Sequence, residues 1–420
     1  MDNPARRRII RRMKHDADIA IVGGGLNGTT LALALAGAGL SVALIEARPL
    51  DSQRAPEFDG RAYALALASV RALGALGLWA GLADTAQPIL EIKASDGRAG
   101  AGAAPFFLQF DHAEIEEGPM GHMIEDRFLR AALLDAVAAA PGITHLTGER
   151  VVAQEVDATG VTLRMGSGAG LRARLLVGCD GRDSPTAQRA GIGRTGWDYP
   201  QTALVCAVRH ERPHNGCAHQ FFMPEGPLAI LPLPGNRSSI VWSERHARAQ
   251  ALHTGDDGAY LDALRPRFGS FLGDIALDGK RHAYPLRLSL ANAFVAERVA
   301  LVGDAAHAVH PIAGQGLNLG LRDMAALAEV LTDAARRGED IAAAPVLARY
   351  QRWRRFDTTA MAVGTDLVNR LFSNDNTLLR GARDLGMGVV SSLPGLRRAF
   401  IREAAGLTGD LPRMLQGRAL

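Results

Sequence analysis

Residues 17–47, ADIAIVGGGLNGTTLALALAGAGLSVALIEA, open with a short apolar run and a glycine-rich turn. A longer small-residue stretch follows, then a second apolar run, VALIE. Short continuous apolar runs suit strands buried on both faces, and the longer stretch suits a helix. One strand–turn–helix–strand unit is therefore predicted. Downstream, the pattern predicts a helical stretch near 64–82 and strands with a glycine-rich loop in 87–111. An amphipathic helix follows over 124–140, and 150–178 alternates as a meander of strands. Residues 200–245 alternate again between Pro and Gly punctuation (TALVCAV, AHQFFM, LAILPLP, SSIVWSE), which predicts an antiparallel sheet of a different class. A helix is expected over 257–272. RVALVG at 298–303 returns to the continuous-apolar strand type, and everything after Gly316 reads as helical. Leu317, Leu321, Met324, Ala328 and Leu331 form a buried stripe there. No internal repeat interrupts this order.

Composition narrows the picture modestly. The chain has 420 residues, 47% of them hydrophobic, and a net charge of +3. That length fits two domains or one large domain with an insertion, and the charge gives no reason to expect nucleic acid. Lysine occurs only at Lys14, Lys93 and Lys280. Cys179, Cys206 and Cys217 are far apart, which argues against a disulfide framework or a zinc site and fits a reducing cytoplasm. The start, MDNPARRRIIRRMKHD, has no following apolar region of signal-peptide length. It reads either as an upstream extension with Met13 as the natural start, leaving residues 1–12 outside the native protein, or as a basic arm for anionic lipid. No segment reaches the roughly 20 apolar residues of a membrane span.

Three motifs carry the chemistry. Gly23, Gly25 and Gly28 stand in GxGxxG register between a strand and a helix, and Glu46 ends the next strand. This context makes a dinucleotide fingerprint. Gly23 permits the tight turn, Gly25 lets backbone approach a pyrophosphate, and Gly28 lets the helix pack closely. Glu46 can accept hydrogen bonds from ribose hydroxyls and repels a 2′-phosphate. In LLVGCDGRDSPTAQRAGI, Asp180 and Gly181 follow an apolar strand; an ordinary Asx turn accounts for them equally well. In RVALVGDAAHAVHPIAGQGLNLGLRD, Asp304 ends a buried strand, Pro311 turns the chain, and Gly314, Gln315 and Gly316 leave amides free at a helix start, a place suited to an anion. His307-x-x-His310 has the spacing of two metal ligands, but the surrounding glycines and Pro311 oppose a regular helix and no acidic or cysteine partner has metal spacing. No metal is expected, and both histidines are left without an assigned role.

Together these motifs resemble those of class A FAD-dependent aromatic monooxygenases, the p-hydroxybenzoate hydroxylase fold. The form HPIAGQGLNLGLRD resembles the ubiquinone-biosynthesis hydroxylases of the UbiH/VisC type. The likeness runs from residue 17 to about 400. It implies an α/β fold: a Rossmann-like FAD-binding domain (15–84, 112–184, 291–345), a discontinuous antiparallel-sheet substrate domain (85–111, 185–290) and a C-terminal helical region (346–420). It implies that Gly23, Gly25, Gly28 and Glu46 hold the ADP half of FAD, with Arg61, Arg127, Asp180 and Gly181 also at the cofactor. Asp304 would bind the ribityl chain. Pro311, Gly314, Gln315, Gly316 and Leu317 would lie along the flavin ring, with Asn318 also at the cofactor.

The chemistry implied is hydroxylation of a polyprenyl phenol, with NAD(P)H or another donor reducing the flavin and O2 forming a C4a-hydroperoxide. No compact catalytic dyad is expected. The sheet of 200–245 would supply the substrate wall, with Phe221, Phe222, Leu231 and Leu233 either facing substrate or forming plain sheet core. MGVVSSLPGLRRAFIREAAGL, with Arg397, Arg398 and Arg402, suits a helix on an anionic membrane or a partner protein in a ubiquinone-synthesis complex, and equally a helix that closes the fold. The expected location is cytoplasmic, peripheral to the inner face of the membrane if that helix docks there. Two other functions stay open: hydroxylation of a soluble aromatic, and a non-catalytic FAD-binding component. The ring position, electron donor and oligomeric state are not legible.

Overall fold

Ala17–Val22 and Val42–Glu46 pair in parallel, with helix Leu26–Gly37 crossing between them. Both strands are almost wholly buried, which is why they carry no polar alternation. The computed structural model describes residues 15–54, 57–98, 102–309, 314–372 and 393–420. In its first sheet the order is Val295–Ala296, Val299–Leu301, Gly170–Gly178, Ala17–Val22, Val42–Glu46 and Ile143–Thr147. Val151–Asp157 and Gly160–Met165 join as an antiparallel extension of Gly170–Gly178. Register places Val22 beside Gly178, and Gly178 beside Leu301. The three glycine-bearing turns that follow these strands, starting at Gly23, Cys179 and Gly303, therefore emerge side by side at one carboxyl edge. Open α/β sheets bind ligands at that edge.

The second sheet runs Glu91–Arg98 with Gly102–Asp111 at one end, then Cys217–Phe222, Leu228–Leu233, Arg237–Arg245, Arg194–His210, Ile275–Ala291 and His307–Ala308. It is mixed: Cys217–Phe222 pairs in parallel with Glu91–Arg98, and the other pairs are antiparallel. Alternation gives it two faces. Leu204, Cys206, Ile240 and Trp242 pack against helices His246–Thr254 and Asp257–Phe268 through Ala249, Tyr260, Leu264 and Phe268. Each such large side chain contributes about 1.5–3 kcal/mol on burial. Ala203, Val205, Val241 and Leu231 take the opposite face, toward the first sheet. A small sheet of Ala62–Ala66, Gly121–Glu125 and Gln87–Ile89 lies between the two.

Helix Gln315–Arg336 follows, with Leu319, Leu321, Met324 and Leu331 buried as its apolar stripe requires. Helices Ala344–Phe372 and Pro394–Ala404 and a short 3-10 turn at Arg413–Gln416 come last in the chain. No helix among the described residues is long and apolar enough to cross a membrane.

Several elements differ from the sequence pattern. Residues 62–66 form a strand, and the helix starts only at Leu67, because Ala62–Ala66 finds a partner in Gly121–Glu125. For the same reason Ile124 is in a strand and the next helix begins at Asp126. The helix expected to reach 272 ends at Phe268, where Gly269 takes φ 84°. The 17-residue strand Ile275–Ala291 has no clear sequence signal, since Asp278–Arg281 and Pro285 break its alternation. Helix His246–Thr254 was likewise hidden by its polar composition.

Candidate functional site

Two cavities meet at the carboxyl edge of the first sheet. The smaller, about 260 Å³, is bordered by Gly23, Gly25, Glu46, Arg48, Asp180 and Arg189. The larger, about 520 Å³, runs from Gly25 and Asn27 past Arg61, Gly181 and Asp304 to the second sheet. Gly25 and Cys179 border both, so the pair forms an elongated two-part site with the start of helix Leu26–Gly37 at its waist.

The glycine turn has the geometry its sequence requires. Gly23 adopts φ +107°, and a Cβ there would lie 2.3 Å from the Cys179 carbonyl oxygen. A Cβ on Gly28 would lie 1.9 Å from the Gly23 carbonyl oxygen, so the helix can approach the turn only without one. A Cβ on Gly25 would meet no protein atom within 4 Å. The open space at that position borders both cavities. Helix Leu26–Gly37 has no side-chain cap and no acidic residue in its first turn, so its positive end is not neutralised by its own side chains. Glu46 is 8% exposed. Its Oε2 accepts the Gly24 N–H at 2.8 Å, and its Oε1 accepts from the Arg48 N–H and Nε–H, both at 3.0 Å. The carboxylate is thus fixed by backbone at the wall of the smaller cavity.

The larger cavity has a polar side and an apolar side. On the polar side Arg61 pairs with Asp59 at 2.7 Å and with Asp126 at 3.5 Å. Its pKa is held above the ordinary range, chiefly by the Asp59 hydrogen bond. Asp126 also accepts from Arg130 at 2.7 Å and from the Tyr63 hydroxyl at 2.8 Å. Burial pushes the Asp126 carboxyl up, but the hydrogen bond and charge of Arg130, with Tyr63 and Arg61, outweigh it and hold the pKa low. Asp304 is half-exposed on the cavity wall, 4.0 Å from Arg182. The buried Oδ1 of Asn27, another lining residue, has no partner among the described residues. On the apolar side stand Ala203, Val205, Leu231, Val241 and Leu286, with the Tyr284 ring.

Most motif residues converge here. Gly23, Gly25, Glu46 and Asp180 border the smaller cavity. Gly25, Arg61, Gly181, Asp304, Gly314, Gly316 and Leu317 border the larger. Gly314 takes the left-handed conformation (φ 64°) as the cap of helix Gln315–Arg336, and a Cβ on Gly316 would meet nothing within 4 Å. Gln315 is the first residue of that helix and borders neither cavity. Pro311 and His310 lie outside the described residues.

Other residues have different employment. Gly28 packs behind the turn. Asp180 turns its carboxylate inward, accepting from the Ser184 hydroxyl and, at 2.9 Å, from the Thr186 N–H. Arg127 borders neither large cavity: it pairs with Glu125 at 2.7 Å and sits over the Phe128 ring, beside a small recess shared with Arg48, Arg61 and Arg130. Asn318 also borders neither. Its Oδ1 accepts from Ala66 N–H (2.9 Å) and Ser69 hydroxyl (2.7 Å), and its Nδ2 donates to the Ala64 carbonyl (2.9 Å). It ties the long helix to the small sheet, and its amide is spent on that tie. Leu231 borders the larger cavity; Phe221 faces the helix-covered core and Leu233 a separate cluster. Phe222 is buried on strand Cys217–Phe222, one strand beyond the cavity wall, and does not border it.

Tyr63, Arg130, Tyr284 and Arg287, which also border the larger cavity, carry no assignment in the sequence analysis. For Arg130 a signal existed, since it lies one helical turn from Asp126. For Tyr284 and Arg287 there was none, because their strand was not recognised. His307, without a role in the sequence, borders the larger cavity from a two-residue strand and bonds Asp323. The C-terminal helix leaves Leu393, Leu396 and Phe400 exposed, while Arg397 and Arg402 are paired with Glu114 and Glu117. Its apolar face therefore carries less free positive charge than the sequence suggests.

Comparison with known proteins identifies the family. A family model described as FAD binding domain matches residues 16–362. The ubiquinone hydroxylase UbiL of Rhodospirillum rubrum is 46% identical over 96% of this chain and 93% of that protein. The 3-demethoxyubiquinol 3-hydroxylase of Escherichia coli is 36% identical over 93% of this chain and 98% of that protein. Among solved structures, p-nitrophenol 4-monooxygenase PnpA from Pseudomonas putida superposes with a TM-score of 0.78 over 94% of this chain and 99% of that one, at 21% identity. That last likeness concerns the fold.

Proposed function

Since the chain belongs to the FAD-binding-domain family that includes the ubiquinone hydroxylases, we propose that it hydroxylates the aromatic ring of a polyprenyl phenol in ubiquinone biosynthesis. The observation that carries this reading is the two-part cavity, whose waist is kept open by Gly25 and whose far wall is an apolar sheet face. Bound FAD supplies the activation of O2: one oxygen atom enters a ring C–H as hydroxyl, the other leaves as water, and NAD(P)H furnishes the two electrons.

The chain's own part is binding, orientation and exclusion of water. The first amides of helix Leu26–Gly37, with Arg61 and Arg130 nearby, would hold the pyrophosphate, and Glu46 the adenosine ribose. Asp304 would hold the ribityl hydroxyls. The amides at the start of helix Gln315–Arg336, which has no acidic residue in its first turn, would favour negative charge on the ring. Ala203, Val205, Leu231, Val241 and Leu286 would keep the reacting ring dry. For the polyprenyl tail we infer a peripheral lipid contact through Leu396 and Phe400. Replacing both with Asp should reduce co-sedimentation with phospholipid vesicles several-fold; undiminished binding sinks that contact.

The pathway assignment is tested in a deletion strain. A ring-unhydroxylated polyprenyl phenol should accumulate and be identified by mass spectrometry; an unchanged quinone pool would defeat the assignment. Purified protein should take up FAD and consume NAD(P)H faster when the phenol is added. Uptake without such turnover would instead favour a non-catalytic FAD-binding component, and turnover with soluble phenols alone would favour a soluble substrate. Leu231→Trp should raise KM for the phenol about tenfold or more, since overfilling a packed wall costs about 1–3 kcal/mol. FAD affinity should fall by a smaller factor than phenol affinity, because Leu231 does not border the smaller cavity, where Glu46 and the glycine turn would hold the ADP half. Fluorescence titration of FAD beside steady-state kinetics separates the two effects.

A further inference from the structure

His307 borders the larger cavity yet is 1% exposed. Its Nε2 lies 2.5 Å from Asp323 Oδ2. The same oxygen accepts the Gly303 N–H at 3.0 Å, and Asp323 Oδ1 accepts the Arg354 Nε–H at 2.8 Å. Asp323 is fully buried. Arg354, also 1% exposed, reaches on to Asp357 at 2.9 Å. The connections have a simple consequence. Gly303 and His307 stand on either side of Asp304, and one carboxylate from a different helix grips both. Gly303 also takes φ +65°, and a Cβ on it would lie 2.3 Å from Asn27 Nδ2, so the turn has little room to move. Among the described residues the Asp304 carboxylate pairs only with the distant Arg182, and the Asp304 carbonyl accepts from Arg194 Nη2 at 3.3 Å. Its place in the cavity wall is therefore set by its neighbours' grip on Asp323 together with Arg194, which holds the Asp304 and Ala305 carbonyls.

We propose that His307 is a positioning residue for the flavin. Its Nε2–H, donated to Asp323, fixes the Gly303–Ala308 turn so that Asp304 and the imidazole edge stay in the cavity wall in the geometry that receives the cofactor. Asp323 is held ionised for this task. Burial acts against the charge, but His307 and Arg354 outweigh it, so its pKa lies below the usual carboxylate range. An acceptor of this kind fixes which imidazole nitrogen carries the proton. A charge-assisted bond in a dry interior is also stronger than a neutral one.

The inference rests on the FAD reading, and the experiment separates their failures. FAD dissociation constants are measured for the full-length wild type, His307→Gln, His307→Asn and His307→Leu. A glutamine amide nitrogen can occupy the place of Nε2 and donate to Asp323; the shorter asparagine cannot reach it. Gln should bind FAD within about threefold of wild type, and Asn and Leu should bind about tenfold more weakly or worse, the loss of one such hydrogen bond being worth about 1.5–3 kcal/mol. All three variants binding like wild type would overturn the proposal, as would Gln binding as weakly as Leu. Should the variants fail to fold, the wild type carries the test. The ring nitrogen resonances of His307 should show Nε2 protonated without FAD, and Nδ1 should shift when FAD is added; no shift overturns it. A wild type that takes up no FAD would instead sink the flavoprotein reading.

Discussion

Gly25→Ala leaves the stability of the FAD-free protein within about 1 kcal/mol of wild type, the usual range for changes at a helix cap, yet weakens FAD binding about tenfold or more. Gly28→Ala does something different: it destabilises the FAD-free protein itself by about 3 kcal/mol, the upper part of the range for overpacking. The two residues sit three apart in one motif, and the difference follows from what a methyl group would meet. At Gly25 it meets no protein atom within 4 Å, and the backbone (φ −72°, ψ −175°) is one that alanine adopts readily. Only a ligand that needs the space is disturbed. At Gly28 the methyl would lie 1.9 Å from the Gly23 carbonyl oxygen and 3.1 Å from its carbon. Both sides of that contact are backbone, so the helix must retreat from the strand edge. Thermal melting with and without FAD, together with FAD titration, reads both effects. Equal loss of FAD-free stability in the two variants would show that Gly25 is structural and that the cavity waist is not a ligand site.

The second large effect is expected at Arg354. Replacing it with methionine should lower stability by about 3–5 kcal/mol, because it leaves Asp323 buried without its guanidinium. Methionine is similar in length and apolar, so packing loss is small and the unmatched charge dominates. Asp323→Asn combined with Arg354→Met removes both charges and should recover much of the loss, since replacing a buried ion pair by neutral groups is often near neutral. A single variant as stable as wild type would mean that the pair contributes nothing. Linkage gives the pH behaviour of the wild type. A carboxyl with a depressed folded-state pKa stabilises the fold at pH above its unfolded value, and that contribution is lost as pH falls through the folded value. Asp323 is shifted in that direction. The stability that it contributes should therefore persist through neutral pH into mild acid and disappear only below the usual carboxylate range.

Phe222 and Leu231 show how far sequence reasoning carried into the substrate wall. Both were apolar residues of predicted strands, and alternation alone could not tell which strand would stand opposite the glycine turns. Strand order decided it: Leu231 reaches the cavity, while Phe222 is one strand too far out. Asn318 makes a similar point. Its motif suggested the flavin, but contacts with Ala64, Ala66 and Ser69, some 250 positions earlier in the chain, claim its amide.

By itself, the sequence determined the strand–turn–helix unit, the positions where glycine is compulsory, and the carboxylate ending the second strand. These are local matters: hydrophobic period, backbone φ and the end of a strand depend on near neighbours. The order of the three motifs also fixed the family before any coordinate was known. Tertiary structure alone decided which residues share a cavity. It brought Gly23, Cys179 and Gly303 to one sheet edge, placed Tyr284 and Leu286 opposite them from a strand without a clear pattern, and buried Asp323 between His307 and Arg354. Such juxtapositions depend on register, strand order and the packing of one element on another, which join residues from 16 positions apart, as in His307 and Asp323, to hundreds. No local pattern records them, and so the role proposed for His307 depends on its partner Asp323 in helix Gln315–Arg336.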